Sequence, residues 1–512
     1  MKKLRTSLGW LDKYILKILV VAFIIIIPLY PKLPFRIVNY TYVAIRLEDF
    51  YMVFVGLVFA VQFFRKKVDI NWKMFLLFAF YWIAVFASYL YGHYVLYTIE
   101  INNIGFLHSL RRIEYMLIFF VAYTTIKSKK DLYFYLKILT SVLAFVSIYS
   151  FGQKFLGWPA VQTMNPEYAK GYILVLDSWS RVSSTFAGHY DFSAYLLLLM
   201  PVIIGLYLAT KKRIYFVVFT LALAALVLAA SRASFLAFLI TLTLFLPYVR
   251  KFKLYILIIV MTAILTPLSD NLANRLTRTF QPTKVFVDID TGQTLVARDM
   301  QPDELPPGDF GSKSSVIPPS STVIIDPETK IAARKAIREN LIEEAKTTGK
   351  VYTAEELEFE ITRLFNRQVT VVKYLPDISI STRLQVSWPR AIAAFLSNIW
   401  LGTGTSSLGE ATDGDYFRWF GENGLLGTIP FLTILFVILR RTWLVAQSTT
   451  KKYKYIFYGF AFGFIGLFIN AGYIDLFEAS KLAYTFWCLA GIFFAASPFF
   501  MKKVKTSELK IS

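Results

Sequence analysis

Twelve apolar runs, each close to the ~20 residues that an α-helix needs to cross a hydrocarbon layer, recur at about 14–30, 47–64, 74–93, 106–126, 132–152, 192–209, 214–230, 233–249, 254–268, 424–439, 455–474 and 482–500. In lipid a backbone satisfies its polar groups only within helices or a closed barrel. The expected fold is therefore an all-α polytopic membrane protein with about 12 transmembrane helices. Composition agrees, since 56% of the chain is hydrophobic and only 17% charged, too apolar for one soluble domain. The net charge of +21 does not mark a nucleic-acid binder, because Lys and Arg come in short bursts between apolar runs and not on one soluble face. Cys488, the only cysteine, lies inside the last run, leaving no intrachain disulfide and no cysteine metal site. The basic start and first run look like a signal peptide, but the run reaches Tyr30 without a small-residue cleavage pattern, so a retained first helix is expected.

Charge orients the runs. With the N-terminus cytoplasmic, the segments expected inside hold 27 Lys and Arg against four acids, Asp12, Asp69, Asp131 and Glu508. The positive-inside rule thus favours cytoplasmic termini, and it favours dividing the apolar block 214–249 at Ser231-Arg232. Residues 1–268 then form nine spans with an outer loop at 153–191, rich in Gly, Pro, Trp and Tyr and expected to lie over the membrane surface. A large outer segment, 269–424, precedes the last three spans and a basic tail, 425–512. Within it, about 281–375 reads as a small α/β insert. Residues 284–299 suggest two strands around an Asp-Thr-Gly turn, and 301–320, with five prolines, irregular coil. Asp326-Pro327 starts a helix with Ile331, Ala332, Ile337, Leu341 and Ala345 as an apolar stripe, and Thr353 with Glu356 is a capping box for a second helix to about Gln368.

Ionisable residues at membrane depth or at its rim are functional candidates. Arg232, in LVLAASRASFLAF, either snorkels to lipid headgroups or grips an anion bidentately. Arg383 and Arg390 lie seven apart, two helical turns, with Pro389 between them. Trp388 and Trp400 fit interfacial anchors. Asp413, Asp415 and Glu422 precede the expected helix at 424–439, where they either cap it or enter a site.

Three blocks carry a resemblance: SRVSSTFAGHYDFSAYLLLLMP at 180–201, AASRASFLAFL at 229–239, and the stretch from STRLQVSWPRAI to GENGLLG at 381–427. Their order, with the large loop before the last three runs, resembles the O-antigen ligase and O-antigen polymerase family of membrane glycosyltransferases, which use polyprenyl-diphosphate-linked glycans. The insert at 281–375 falls outside the resemblance. It implies a GT-C-like helical fold and a metal-independent, inverting transfer without cofactor at the outer face of the plasma (inner) membrane. The partners implied are a lipid-linked glycan donor, a glycan or lipid acceptor, and membrane lipids, with no nucleic acid. Arg232 and Arg383 look like the groups holding the carrier diphosphate. Family ligases carry a histidine ahead of the Glu-x-Gly-Leu-Leu-Gly ending; here that position is Asp413, the first choice for general base, and His93, His108 and His189 lie elsewhere. Polymerase-like members resemble the chain better. Arg181, His189, Asp191, Arg390, Asp415 and Glu422 are candidates for binding substrate. The rivals are a ligase acting on lipid or protein, a peptidoglycan polymerase of the SEDS type, and a flippase or transporter of lipid-linked sugars, for which repeat symmetry and mid-bilayer charges are the signature.

Overall fold

The computed structural model describes residues 2–37, 44–99, 102–161, 173–177, 180–269, 272, 280–288, 327–366, 368–376, 383–409, 412–449 and 452–501. It divides into two units, residues 1–273 with 388–512, and residues 274–387.

In the first unit every apolar run is helical. The helices before the long polar segment are α1 (Lys2–Leu29), α2 (Leu47–Phe64), α3 (Trp72–Tyr91), α4 (Asn102–Thr125), α5 (Lys129–Phe155), α6 (His189–Thr210), α7 (Arg213–Ala229), α8 (Arg232–Tyr248) and α9 (Phe252–Leu265). The second unit holds α10 (Pro327–Thr348) and α11 (Ala354–Asn366), and the first unit resumes with α12 (Trp388–Ser397), α13 (Asp415–Ser448), α14 (Lys454–Ala471) and α15 (Ser480–Phe500). Among the described residues seven helices are long and apolar enough to cross a membrane: α2, α3 with its π-helical extension to Leu96, α5, α6, α13, α14 and α15. The helices α7 and α8, and α9 with its 3₁₀ turn to Leu268, are apolar but shorter. Arg111, Arg112 and Glu114 fall in every 18-residue window of α4. The chain is thus a helical, membrane-embedded protein.

Local chemistry explains the boundaries. Block 214–249 divides where Ala230 takes the left-handed conformation (φ 47°) and Ser231 turns the chain into α8. α6 is apolar on all sides and buried on all sides, as a central helix must be. It packs closely on α14, where a Cβ on Gly459 or Gly463 would collide with the carbonyls of Pro201 and Leu198, the small-residue contact that lets membrane helices approach. The outward faces of α2 and α9 expose Phe54, Leu57, Ile256 and Ile264, as lipid-facing surfaces do.

Two expectations are corrected. The loop 153–191 does not lie over the surface along its whole length, since residues 182–189 are buried in the bundle. Polar side chains pay the backbone cost there: Gln153 Oε1 accepts from Ser184 N–H (2.7 Å), its Nε2 donates to the Ser184 carbonyl (2.8 Å), and Ser184 Oγ donates to the Val146 carbonyl (2.7 Å). Gln153→Ala is expected to cost about 1–3 kcal/mol by stranding these groups, read as a lower unfolding midpoint in detergent; an unchanged midpoint contradicts the role. Secondly, a shorter helical segment from Asp415 precedes the helix expected at 424–439 and joins it across the break at Gly424.

The first unit holds the short antiparallel pairs β1 (Pro34–Ile37) with β2 (Ala44–Arg46) and β3 (Pro159–Ala160) with β4 (Leu174–Val175); in the second unit β5 (Phe280–Asp288) pairs antiparallel with β6 (Gln368–Pro376), in register from Phe280↔Pro376 to Asp288↔Gln368. The partner of the first expected strand is therefore a distant segment, and the residues after the Asp-Thr-Gly turn, like 301–320, lie outside the described residues. Ile337, Leu341 and Ile361 form a small core with Tyr352, Leu357, Leu364 and Phe365. Ile331, expected in the stripe, is 67% exposed. The capping box forms, with Thr353 N–H donating to Glu356 (2.9 Å) and Glu356 N–H to Thr353 Oγ1 (3.3 Å).

Candidate functional site

The ends of α1, α3, α5, α7 and α14 and the starts of α2, α4, α6, α8, α13 and α15 gather at one end of the first unit, and there the GENGLLG block makes a discontinuous helix. Gly424 sits inside α13 with φ 55° and ψ −159°, a conformation open to glycine, and a Cβ there would lie 2.5 Å from Trp400 backbone. A helix break frees carbonyls and N–H groups, and residues 399–404 supply the partners. Thr403 N–H donates to the Gly421 carbonyl (2.9 Å), Gly404 N–H to that of Glu422 (3.0 Å), and Leu425 and Leu426 N–H to Ile399 (2.8 Å) and Trp400 (3.0 Å). Ser88 Oγ also donates to the Glu422 carbonyl (2.6 Å).

Around this break lies a buried ionic network. Arg418, one turn before Glu422, donates to its carboxylate (3.0 Å), to Asp475 through Nε (2.7 Å) and to the Thr412 carbonyl (2.7 Å). Arg112 of α4 donates to Tyr81 Oη (3.0 Å), to the other Glu422 oxygen (3.4 Å) and pairs with Glu478 at 2.8 Å. Glu422 therefore bridges two buried arginines. Asp475 and Glu478 belong to the link between α14 and α15, which Asp415 pins by accepting from Leu476 N–H (2.7 Å) and Phe477 N–H (3.3 Å). Burial, reinforced by the charge of Asp413, pushes the Asp475 carboxyl up to about 7 against the pull of Arg418. The folded protein holds a proton there that the unfolded chain sheds, so this group's contribution to stability falls as pH rises from the ordinary aspartate range toward 7.

A second polar group lies where α1 ends and α2, α6 and α15 begin. Lys481 donates to three backbone carbonyls, of Pro28 (3.2 Å), Tyr30 (2.6 Å) and Thr185 (2.7 Å), and Ser480 Oγ to Glu48 (2.8 Å). Lys32 faces Asp191 at 4.0 Å.

The residues singled out from sequence divide as follows. Arg232 opens α8 and is half-buried. Its turn is tied into the bundle by Ser234, whose Oγ accepts from Asn470 Nδ2 (2.9 Å) and lies within hydrogen-bonding distance of the Ser193 (3.0 Å) and Ser231 (3.1 Å) hydroxyls. His189 opens α6, buried against the Tyr190 ring (4.1 Å), and Arg181 stands over the same ring (5.7 Å). Asp413 is half-buried ahead of α13, its carbonyl accepting from Trp388 Nε1 (3.0 Å). Trp388, half-buried, stacks on Phe417 at 4.5 Å. Glu422 lies inside α13, two residues before its break at Gly424, because helical backbone starts at Asp415, nine residues ahead of the expected start at 424. Asp415 holds a backbone link and is fully buried. Arg390 is exposed on α12, and Arg383 is buried in a π-helical turn of the second unit.

Arg112, Arg418, Asp475 and Glu478 were not singled out by the pattern of apolar runs. Charges inside such a run are the available signal, and Arg111, Arg112 and Glu114 at 106–126 carry it. No family model matches the chain, and no curated protein matches it. Among the described residues no group of three or more His, Cys, Asp or Glu side chains could hold a metal ion. The chemistry on offer is that of fixed guanidinium groups and buried carboxylates, one of which holds a proton near neutrality.

Proposed function

We propose that the protein is a membrane glycosyltransferase that moves an oligosaccharide from a polyprenyl-diphosphate carrier onto a glycan hydroxyl, in the manner of an O-antigen or surface-polysaccharide polymerase. In this reading the chain spans the plasma (inner) membrane with twelve helices and cytoplasmic termini, with the 281–375 insert and the active site on the outer face. The observation that carries it is the concentration of buried ionisable groups at one end of the first unit, the end at which Arg232 and Asp413 stand and which the Lys and Arg distribution assigns to the outside. The three sequence blocks that resemble the ligase and polymerase family contribute Arg232, Arg383 and Asp413.

The reaction asks two things of the protein. The acceptor hydroxyl loses its proton as it attacks the anomeric carbon, and Asp413 takes that proton. The diphosphate leaves with the bonding pair, and Arg232 stabilises its growing charge in a site of low dielectric. The resemblance gives Arg383 the same task. The donor arrives activated, so nucleotide is not consumed.

The discontinuous helix α13 favours a second reading, a transporter of lipid-linked sugars, because broken helices mark the substrate sites of many transporters. A ligase differs from a polymerase in its acceptor, and ligases of the resembled family carry a histidine where this chain has Asp413. Arg232→Ala is expected to lower the transfer rate about 10²- to 10³-fold in the purified protein with a short lipid-linked oligosaccharide, with Arg232→Lys retaining part of it, and Arg383→Ala to lose a comparable factor. Transfer at the wild-type rate in both alanine variants would remove the diphosphate role.

A further inference from the structure

Two cations at the start of the chain stand in a setting that a purely structural role leaves unexplained. Lys32 follows α1, and Arg46 caps α2; between them run β1 (Pro34–Ile37) and β2 (Ala44–Arg46), an antiparallel pair whose register sets Pro34 opposite Arg46. The ribbon therefore brings the two side chains to one place. Both are more than nine-tenths buried, Lys32 being 5% and Arg46 6% exposed. Among the described residues the only carboxylate within 4 Å of the Lys32 ammonium is Asp191, at 4.0 Å, and Arg46 Nη1 stands 4.0 Å from Glu48. Neither distance makes a hydrogen bond. Arg46 Nε is sealed from solvent without an acceptor.

Neighbouring groups do not fill the gap. Lys481 is engaged by three carbonyls and Glu48 accepts from Ser480. Burial, and after it the charge of Arg46, lowers the proton affinity of Lys32 against the pull of Asp191 and Glu48. Like charges brought together in a buried place, with donors left over, are costly unless an anion completes them. The amino ends of α2, α6 and α15 converge on the same spot and add their partial positive charge.

We propose that Lys32 and Arg46 form an anion seat for a phosphate or diphosphate group, with the Arg46 guanidinium and the Lys32 ammonium donating to its oxygens. Under the glycosyltransferase reading, on which this assignment of the ligand rests, the seat takes the diphosphate of the lipid carrier. The seat itself stands on the geometry of the two cations.

Binding is measured on the full chain in nanodiscs of neutral lipid, by thermal shift and by ³¹P line broadening, with inorganic pyrophosphate and, separately, with a polyprenyl phosphate added to the disc. Saturable stabilisation of the wild type is expected, weakened at least tenfold in Lys32→Gln/Arg46→Gln and kept within about threefold in Lys32→Arg and Arg46→Lys. If the neutral double variant fails to fold, the single Gln variants carry the test, each expected to bind several-fold more weakly. Stabilisation by pyrophosphate assigns the seat to free diphosphate; stabilisation by polyprenyl phosphate alone assigns it to a lipid-borne group. Wild-type affinity in the folded double variant, or no saturable binding by either probe, overturns the seat. Binding that depends on Lys32 and Arg46 in a protein that transfers no sugar leaves the seat standing and removes the glycosyltransferase reading. Transfer with unchanged KM in the double variant does the reverse.

Discussion

Glu422→Ala is expected to destabilise the folded protein by about 3–5 kcal/mol, the cost of breaking a buried ion pair by removing one partner. Glu422 is 1% exposed and its two oxygens are divided between Arg418 and Arg112. Removing the carboxylate leaves two buried guanidinium groups facing each other across the gap, with Asp475 and Glu478 as their remaining partners. The loss adds to a weak point, because the Glu422 carbonyl already lies at the break in α13 and depends on Gly404 N–H and Ser88. Glu422→Gln, which keeps an acceptor but not the charge, is expected to fall between wild type and alanine. Equilibrium unfolding in mixed detergent measures both. A loss below about 1 kcal/mol for the alanine variant contradicts a bridging role and returns Glu422 to the surface-like cost of an exposed pair.

Asp413→Asn is expected to lower the rate of transfer. A positioned general base contributes typically 10²- to 10⁴-fold, and the same loss is predicted for glycosyl transfer in this variant. The bond that the Asp413 backbone carbonyl accepts from Trp388 Nε1 is left in place by the substitution. Asp413→Glu keeps a carboxylate a bond-length further out and should retain a measurable fraction of the rate. A full-rate Asp413→Asn with an unchanged pH profile would give the proton to another group, and Asp475, whose carboxyl is raised to about 7, is the next to replace.

Helix length and apolar content were legible in the sequence because they depend on local composition alone: all twelve runs are helices, and Ser231-Arg232 marks a helix boundary. Side-chain partners separated by hundreds of residues were not. Arg112 meets Glu422 across 310 positions, and β5 meets β6 across the two helices of the insert. Residues 182–189, within the loop 153–191 rich in Gly, Pro, Trp and Tyr, read as lying over the surface. Hydroxyl side chains let this non-helical stretch stay buried, because they donate to carbonyls of the surrounding helices. Thr185 donates to Pro28 and Ser184 to Val146. Of the candidate site, Arg232, Asp413 and Glu422 stood out by charge beside apolar runs. Arg390 stood out by its spacing of seven from Arg383 and is exposed.

The most direct measurement uses purified protein in sealed vesicles with a short polyprenyl-diphosphate oligosaccharide, without nucleotide or divalent metal, and sizes the products by mass spectrometry. A ladder of repeat units on the carrier, absent from the Arg232→Ala and Asp413→Asn proteins, is the predicted result. Labelled substrate that crosses the membrane with no new glycosidic bond contradicts it and makes the protein a transporter.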